Sequence, residues 1–310
     1  VAPDPVTALA AATDDDLTAL MATGTAGEPG VGGGSVVFDL DGEPVFAKRI
    51  PLTDRELASP RSTANLFDVP LYCQYGVISP GFNAWRELAA NEILTGTGSF
   101  PRLLHWRVLP GRSPVAGEHA DIDAVVATLG GSPAVRARLE ALAAATHSLV
   151  LFSEYIPHAL YDWLRHDPAS KAELMEQQLT HIVAVLRDHE LLHMDGHFGN
   201  LRTDGERLVL TDFGLVTSPR FDLSVAEHAF VRRNATHDAD YAAMRLVNWL
   251  ATEVCGVSRV PAARNEFVAW CATGGVPRNV PPHVAAIIAR HAPAAARSNS
   301  LYWQLFQRIA

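Results

Sequence analysis

The sequence predicts an α+β protein of two lobes, a small strand-rich first half and a larger helical second half. Two observations carry this. Strand signals concentrate before residue 157: the β-forming runs 35–40 and 44–50 flank Asp41-Gly42, a strong signal for a two-residue hairpin turn, and 103–109 and 148–156 are further β-rich stretches. Beyond 157 the apolar spacing is mostly helical. The order, strands first and helices after, places a first lobe at 1–153 and a second at 154–310.

Each element has a local reason. Residues 6–23 are amphipathic, as one helix or two short ones. Glycines cluster between 24 and 34, directly ahead of the hairpin, whose second strand carries Lys48. Residues 51–80 read as loop, broken by Pro51, Pro60, Pro70 and Pro80. Residues 82–94 form a helix closed by Gly96 and Gly98. Two helices over 121–145 are divided by Gly130, Gly131 and Pro133. In the second half, helices are expected at 159–165, 171–191, 225–234, 238–254, 260–272, 281–292 and 299–309, with one hairpin at 201–211 turning on Asp204-Gly205.

Composition excludes several classes of protein. An apolar content of 48% supplies a sizeable core and is too high for a disordered chain. Against 34 acidic residues stand 25 basic ones, a formal charge of −9, so nucleic acid is not an expected partner. Three scattered cysteines, Cys73, Cys255 and Cys271, argue against a disulfide framework or a Cys-rich zinc site and fit a reducing cytoplasm. No run approaches the ~20 apolar residues that span a bilayer, so no membrane association is expected. Asp4 and 14–16 put acid where a signal peptide carries positive charge.

The chemistry concentrates in HMDGHFGN over 193–200, followed by TDFG over 211–214. This is H-x-D-x-x-x-x-N with D-F-G behind it, Asp212 lying twelve residues after Asn200. Phosphoryl transfer needs a carboxylate at the attacking hydroxyl and hard oxygen ligands that hold Mg2+ on the phosphates. Asp195 suits the first task, and Asn200 with Asp212 the second. A rival pattern shares the stretch: His189-Glu190-Leu-Leu-His193 matches H-E-x-x-H, which binds zinc when both histidines share a helix face. Arg187 and Asp195 flank it and Gly196 breaks a helix there, so the zinc reading is disfavoured.

Taken in order, these stretches resemble the protein-kinase-like superfamily, and most closely its aminoglycoside phosphotransferase and choline kinase branch, whose loop typically reads HGDxHPGN. The resemblance covers roughly 25–305 and implies a bilobal protein-kinase-like fold with ATP and Mg2+ as cofactors. Gly30, Gly32, Gly33, Gly34 and Ser35 resemble the phosphate-covering loop, Ser35 standing in for its third glycine. Lys48 resembles the strand lysine that contacts the α- and β-phosphates, with Phe46 where protein kinases usually carry alanine. Glu87 resembles the helix glutamate that pairs with it, and Glu92 is the rival. Glu154 and Ile156 lie in a stretch resembling the hinge whose backbone reads adenine. By the same resemblance Asp195 takes the acceptor's proton, His197 contacts phosphate or acceptor, His193 holds the loop backbone, and Asp222 braces the loop from the start of a helix.

Only seven residues separate Gly214 from Asp222, and no A-P-E follows. That removes the segment on which protein substrates dock and favours a small-molecule hydroxyl acceptor: aminoglycoside-like, a sugar or another metabolite. The intact D-F-G keeps a protein Ser/Thr kinase without an ordinary activation segment in view, and a non-catalytic nucleotide-binding pseudokinase stands third.

Overall fold

The structure, a computed structural model, describes residues 4–27, 33–75, 79, 83–113 and 120–309, with no side chain given at 303 or 305–309. Its elements run α1 (Pro5–Ala11), α2 (Asp14–Ala22), β1 (Thr25–Ala26), β2 (Gly34–Leu40), β3 (Glu43–Leu52), α3 (Asp54–Ala58), α4 (Leu71–Gln74), α5 (Ala84–Leu94) and β4 (Leu103–Pro110). Next come α6 (Ile122–Thr128), α7 (Pro133–Ala143), β5 (His147–Glu154), β6 (His158–Ala159), α8 (Leu160–Trp163) and α9 (Ala172–Asp188). The chain continues through a short 3-10 turn (Phe198–Asn200), β7 (Leu201–Thr203), β8 (Leu208–Leu210), α10 (Val225–Arg233), α11 (His237–Glu253), α12 (Pro261–Ala272) and α13 (Pro282–Ile309). The protein is thus α+β, with antiparallel strand pairing throughout. Among the described residues no helix is long and apolar enough to cross a membrane.

The chain divides into two compact units, Val1–Tyr155 with Asp212–Arg233, and Ile156–Thr211 with Asn234–Ala310. The sequence reading kept 154–310 together. Residues 212–233 belong instead with the first unit, where the Asp222 N–H donates to Thr63 Oγ1 and Glu227 receives Arg86.

The first unit is built on a five-stranded sheet of order β1-β2-β3-β5-β4. Asp41 and Gly42 join β2 to β3 with φ of 56° and 93°, the left-handed pair that a tight hairpin turn requires. Along β3 the side chains alternate between the faces. Val45 and Ala47 enter a core with Phe38, Val150 and Phe152, closed by Leu9 of α1 and Leu17 of α2. Ile50 and Leu52 enter the opposite core, with Leu149, Leu151 and Trp85 and Leu88 of α5. Lys48 falls in the second set, so the strand's period alone aims it at α5.

Within the stretch expected as loop, the described residues 51–75 hold two helices and a share of the core. Thr53 caps α3 with a reciprocal bond to Glu56, and buried Glu56 also accepts the Ala84 N–H that opens α5. Phe67, Val69 and Cys73 share a core with Val126, Leu129, Val135 and Leu139 of α6 and α7. The loop-like stretch and the helices α6 and α7 therefore share one packed core, which period-reading of either alone does not reveal.

In the second unit, α9 buries Ala172, Met175, Leu179, Ile182 and Leu186, the three-and-four spacing of one helical face. β6, β7 and β8 form a small separate sheet. The two helices expected at 281–292 and 299–309 are a single helix, α13, running through Pro293. Its buried side chains at Val284, Ile287, Ile288, Ala292, Ala295, Ser298 and Asn299 keep one face continuous across the proline. That burial offsets the ~3 kcal/mol cost of an interior proline.

Candidate functional site

The predicted residues form two clusters, one in each unit. In the first unit, Lys48 Nζ lies 2.6 Å from Glu87 Oε1 and 2.8 Å from Asp212 Oδ1. Glu87, not Glu92, is the partner; Glu92 pairs with Arg61 at 2.6 Å instead. Glu87 lies at three-and-four spacing from buried Ala84, Ala90 and Asn91 on α5 and is itself buried, while Glu92 is not. Burial opposes the Lys48 charge, but Asp212 and Glu87 outweigh it and hold the ammonium above its ordinary range. Burial pushes the Glu87 carboxyl up, against the pull of Lys48. The Lys48 direction governs, because an ammonium between two carboxylates keeps its proton.

Asp212 has φ 66°, a left-handed conformation uncommon outside glycine, and its Oδ1 accepts the Gly214 N–H at 3.2 Å. Phe213 is buried, its ring 5.8 Å from that of Phe100. Arg86, beside Glu87, is almost fully buried and donates to Glu227 Oε1 at 2.8 Å, to Thr63 O at 2.6 Å and to Tyr75 Oη at 3.2 Å. The helix that carries Glu87 and the run that follows Asp212 are thereby tied together.

Gly30 and Gly32 lie outside the described residues. Gly33 (φ 115°) and Gly34 open β2, and a side chain on Gly33 would meet the Arg49 carbonyl at 2.0 Å. Ser35 stands directly across the sheet from Lys48. Glu154 ends β5; its N–H donates to Arg102 O and its carboxylate receives the Arg102 N–H. In the second unit the Ile156 carbonyl accepts Arg202 Nε at 2.6 Å.

The second cluster is the loop 193–200. His193 is fully buried; its Nδ1 accepts the Asp195 N–H at 3.3 Å and its Nε2 meets Thr211 O at 3.1 Å. This network assigns a neutral ring protonated on Nε2. Asn200 Nδ2 donates to Asp195 O at 2.9 Å and to Asp195 Oδ2 at 3.2 Å. The amide is thereby oriented with Oδ1 as its remaining acceptor. His197 Nε2 lies 3.7 Å from Asp195 Oδ2, and its ring covers Gly199 so closely that a Cβ there would be 2.7 Å from Cε1. Asp195 and His197 are each a little over a third exposed, open enough to meet a substrate.

The loop is braced by Asp238, not by Asp222. Buried Asp238 accepts the His193 N–H at 2.7 Å and the Met194 N–H at 3.0 Å, holding Met194 at φ 67°. Burial alone would raise its carboxyl; neighbouring His237 and the hydrogen bond from the His193 backbone hold it below the usual carboxylate range. Asp222 is exposed, in the other unit. An aspartate at a helix start was the right signal, and Asp238 in the first turn of α11 carries it as well as Asp222 does.

The H-E-x-x-H pattern does not form a zinc site. α9 ends at Asp188, His189 is its cap, and Glu190 turns to φ 58°, so the two histidines share no helix face. Among the described residues no group of three His, Cys, Asp or Glu is placed to hold a metal. No model of a known protein family matches the chain, and no curated protein matches it.

Proposed function

We propose that this protein is an ATP-dependent phosphotransferase of protein-kinase-like, bilobal plan, moving a γ-phosphoryl group to a hydroxyl of a small molecule. The observation that carries the reading is the Lys48 ammonium fixed between Glu87 and the D-F-G aspartate Asp212. A lysine so held keeps its charge and one position, which is what orienting phosphate oxygens demands. Asp195 orients the acceptor hydroxyl and takes its proton, held in place by Asn200 and by the loop backbone anchored on Asp238. His197, beside Asp195, contacts phosphate or acceptor. Ser35 and the glycines before it cover the phosphates, and backbone at Glu154 and Ile156 meets adenine.

Asn200 and Asp212 each carry an oxygen donor of the type that Mg2+, a hard cation, prefers, and are the residues that would hold it. Bound there, it supplies positive charge to the phosphate oxygens. The short run from Gly214 to Asp222 favours a small acceptor over a protein.

Asp195→Asn and Lys48→Met separate the roles. Asp195→Asn binds Mg·ATP within about twofold of wild type and transfers at least ~10²-fold more slowly, the lower range for a general base. Lys48→Met weakens nucleotide binding or its alignment and also loses transfer. Transfer by Asp195→Asn at a tenth of the wild-type rate or more removes Asp195 from the reaction. Failure of the wild-type protein to bind Mg·ATP overturns the reading as a whole.

A further inference from the structure

One face of α11 lies beside the catalytic loop and is not used by the reaction as described. His237, Tyr241 and Arg245 recur at four-residue spacing and share this face. His237 stacks on Tyr241 at 5.5 Å between ring centroids, and Tyr241 lies 5.3 Å from Tyr302 of α13. The Arg245 guanidinium sits 5.5 Å from the ring centre of Phe198, two residues before Asn200, and donates to Tyr161 Oη at 2.6 Å. Burial chiefly, then Tyr241, Asp195 and Asp238, raises the Tyr302 hydroxyl, with Arg245 pulling the other way. Arg245, Tyr241 and Tyr302 therefore form one patch beside the loop that carries Asp195.

Arg245 has only the bond to Tyr161 among the described residues. Arg264, from α12, has none, and its Nε is buried without an acceptor among those residues. Burial and the nearby Arg245 charge both disfavour the Arg264 cation. The acidic side chains of α11 are already engaged: Asp238 by the loop, Asp240 by Arg297, Glu253 by Arg259. Among the described residues these two guanidiniums thus lack a carboxylate partner, in a chain of net charge −9. Planar guanidinium groups match a carboxylate or phosphate, and such an anion would relieve their repulsion.

Resting on the phosphotransferase reading for the role of Asp195, we propose that the acceptor is a hydroxylated compound bearing a carboxylate or phosphate. Arg245 and Arg264 receive the anionic group, Tyr241 and Tyr302 flank the carbon skeleton, and the hydroxyl reaches Asp195. An anionic acceptor sets this site apart from one built for a polycation.

The test uses matched probes with the full-length protein: glycerol 3-phosphate against glycerol, and gluconate against glucose. Binding is read by saturation-transfer NMR and calorimetry, transfer by label from γ-labelled ATP. At least one anionic member is expected to bind at least tenfold more tightly than its neutral partner, more weakly as salt rises. Arg245→Gln and Arg264→Gln should each lose at least tenfold, while Arg245→Lys, which keeps the charge, loses less; circular dichroism and Tm verify that each variant is folded. Equal binding of charged and neutral probes, no binding of either anion, or wild-type affinity in both glutamine variants overturns the proposal. Anions that bind without any hydroxyl being phosphorylated sink the phosphotransferase reading and leave the anion site standing. Phosphorylation of neutral or cationic alcohols, unaffected by Arg245→Gln, does the reverse.

Discussion

Replacing Asp238 by asparagine removes a buried charge from beneath the loop 193–200. Its two oxygens receive the His193 and Met194 N–H groups at 2.7 and 3.0 Å. Hydrogen bonds to a charged group contribute about 1.5–3 kcal/mol each. Asparagine keeps one acceptor and turns an N–H2 toward the second donor, so Asp238→Asn should cost about 2–3 kcal/mol and Asp238→Ala about 3–5 kcal/mol. The pH dependence has a definite sign. The Asp238 carboxyl is held below its ordinary value, so its contribution is complete above the unfolded value of about 3.9 and is lost as pH falls through the lower folded value. The gap between wild type and Asp238→Asn, measured by urea unfolding, should be widest near pH 6 and narrow below about pH 4. On the proposed phosphotransferase reading the variant should lose kcat with little change in KM for ATP, because Asp238 holds the loop that carries Asp195. A variant as stable as wild type, or a gap that stays constant from pH 6 to pH 3, refutes the bracing role.

Other perturbations follow from the same geometry. Arg86→Met strands buried Glu227 and should cost about 3–5 kcal/mol, whereas Arg86→Met with Glu227→Met recovers much of that in urea titrations; strict additivity of the two changes contradicts a coupled pair. Gly199→Ala forces the His197 ring away from a Cβ that would sit 2.7 Å from Cε1, so the ring's NMR signals should move and kcat fall by about tenfold, ~1.4 kcal/mol of barrier, at near-normal stability. Burial, reinforced by Cys271, pushes the Cys255 thiol up to about 11. It should therefore react with iodoacetamide at pH 8 far more slowly than free cysteine, as mass spectrometry of the alkylated peptide will read.

Much of the site could be read from the chain because its parts are local. The Lys48 strand is marked by its own hairpin turn, and the loop 193–200 carries its chemistry within eight residues. What escaped depends on long-range packing. Asp222 and Asp238 fit the same local rule, and only the fold decides that the loop backbone rests on Asp238. Lys48 found Glu87 over Glu92 because β3 and α5 face each other at one register, a relation that the 51–80 insertion obscured. The sequence divides 281–309 into two helices where the buried face of α13 is continuous, and the stretch after β3 resembles loop because its core partners lie far along the chain, in α6 and α7. Gly33 has a second reason to be glycine that only the fold shows: its φ of 115° and the Arg49 carbonyl leave no room for a side chain.

The most direct test of the central claim follows the label from γ-labelled ATP and Mg2+ in a desalted extract supplemented with hydroxylated small molecules, fractionated by size, with Asp195→Asn alongside. The account predicts label in the small-molecule fraction with wild type and none with the variant. Label on protein, or label in the small fraction that persists with Asp195→Asn, contradicts it.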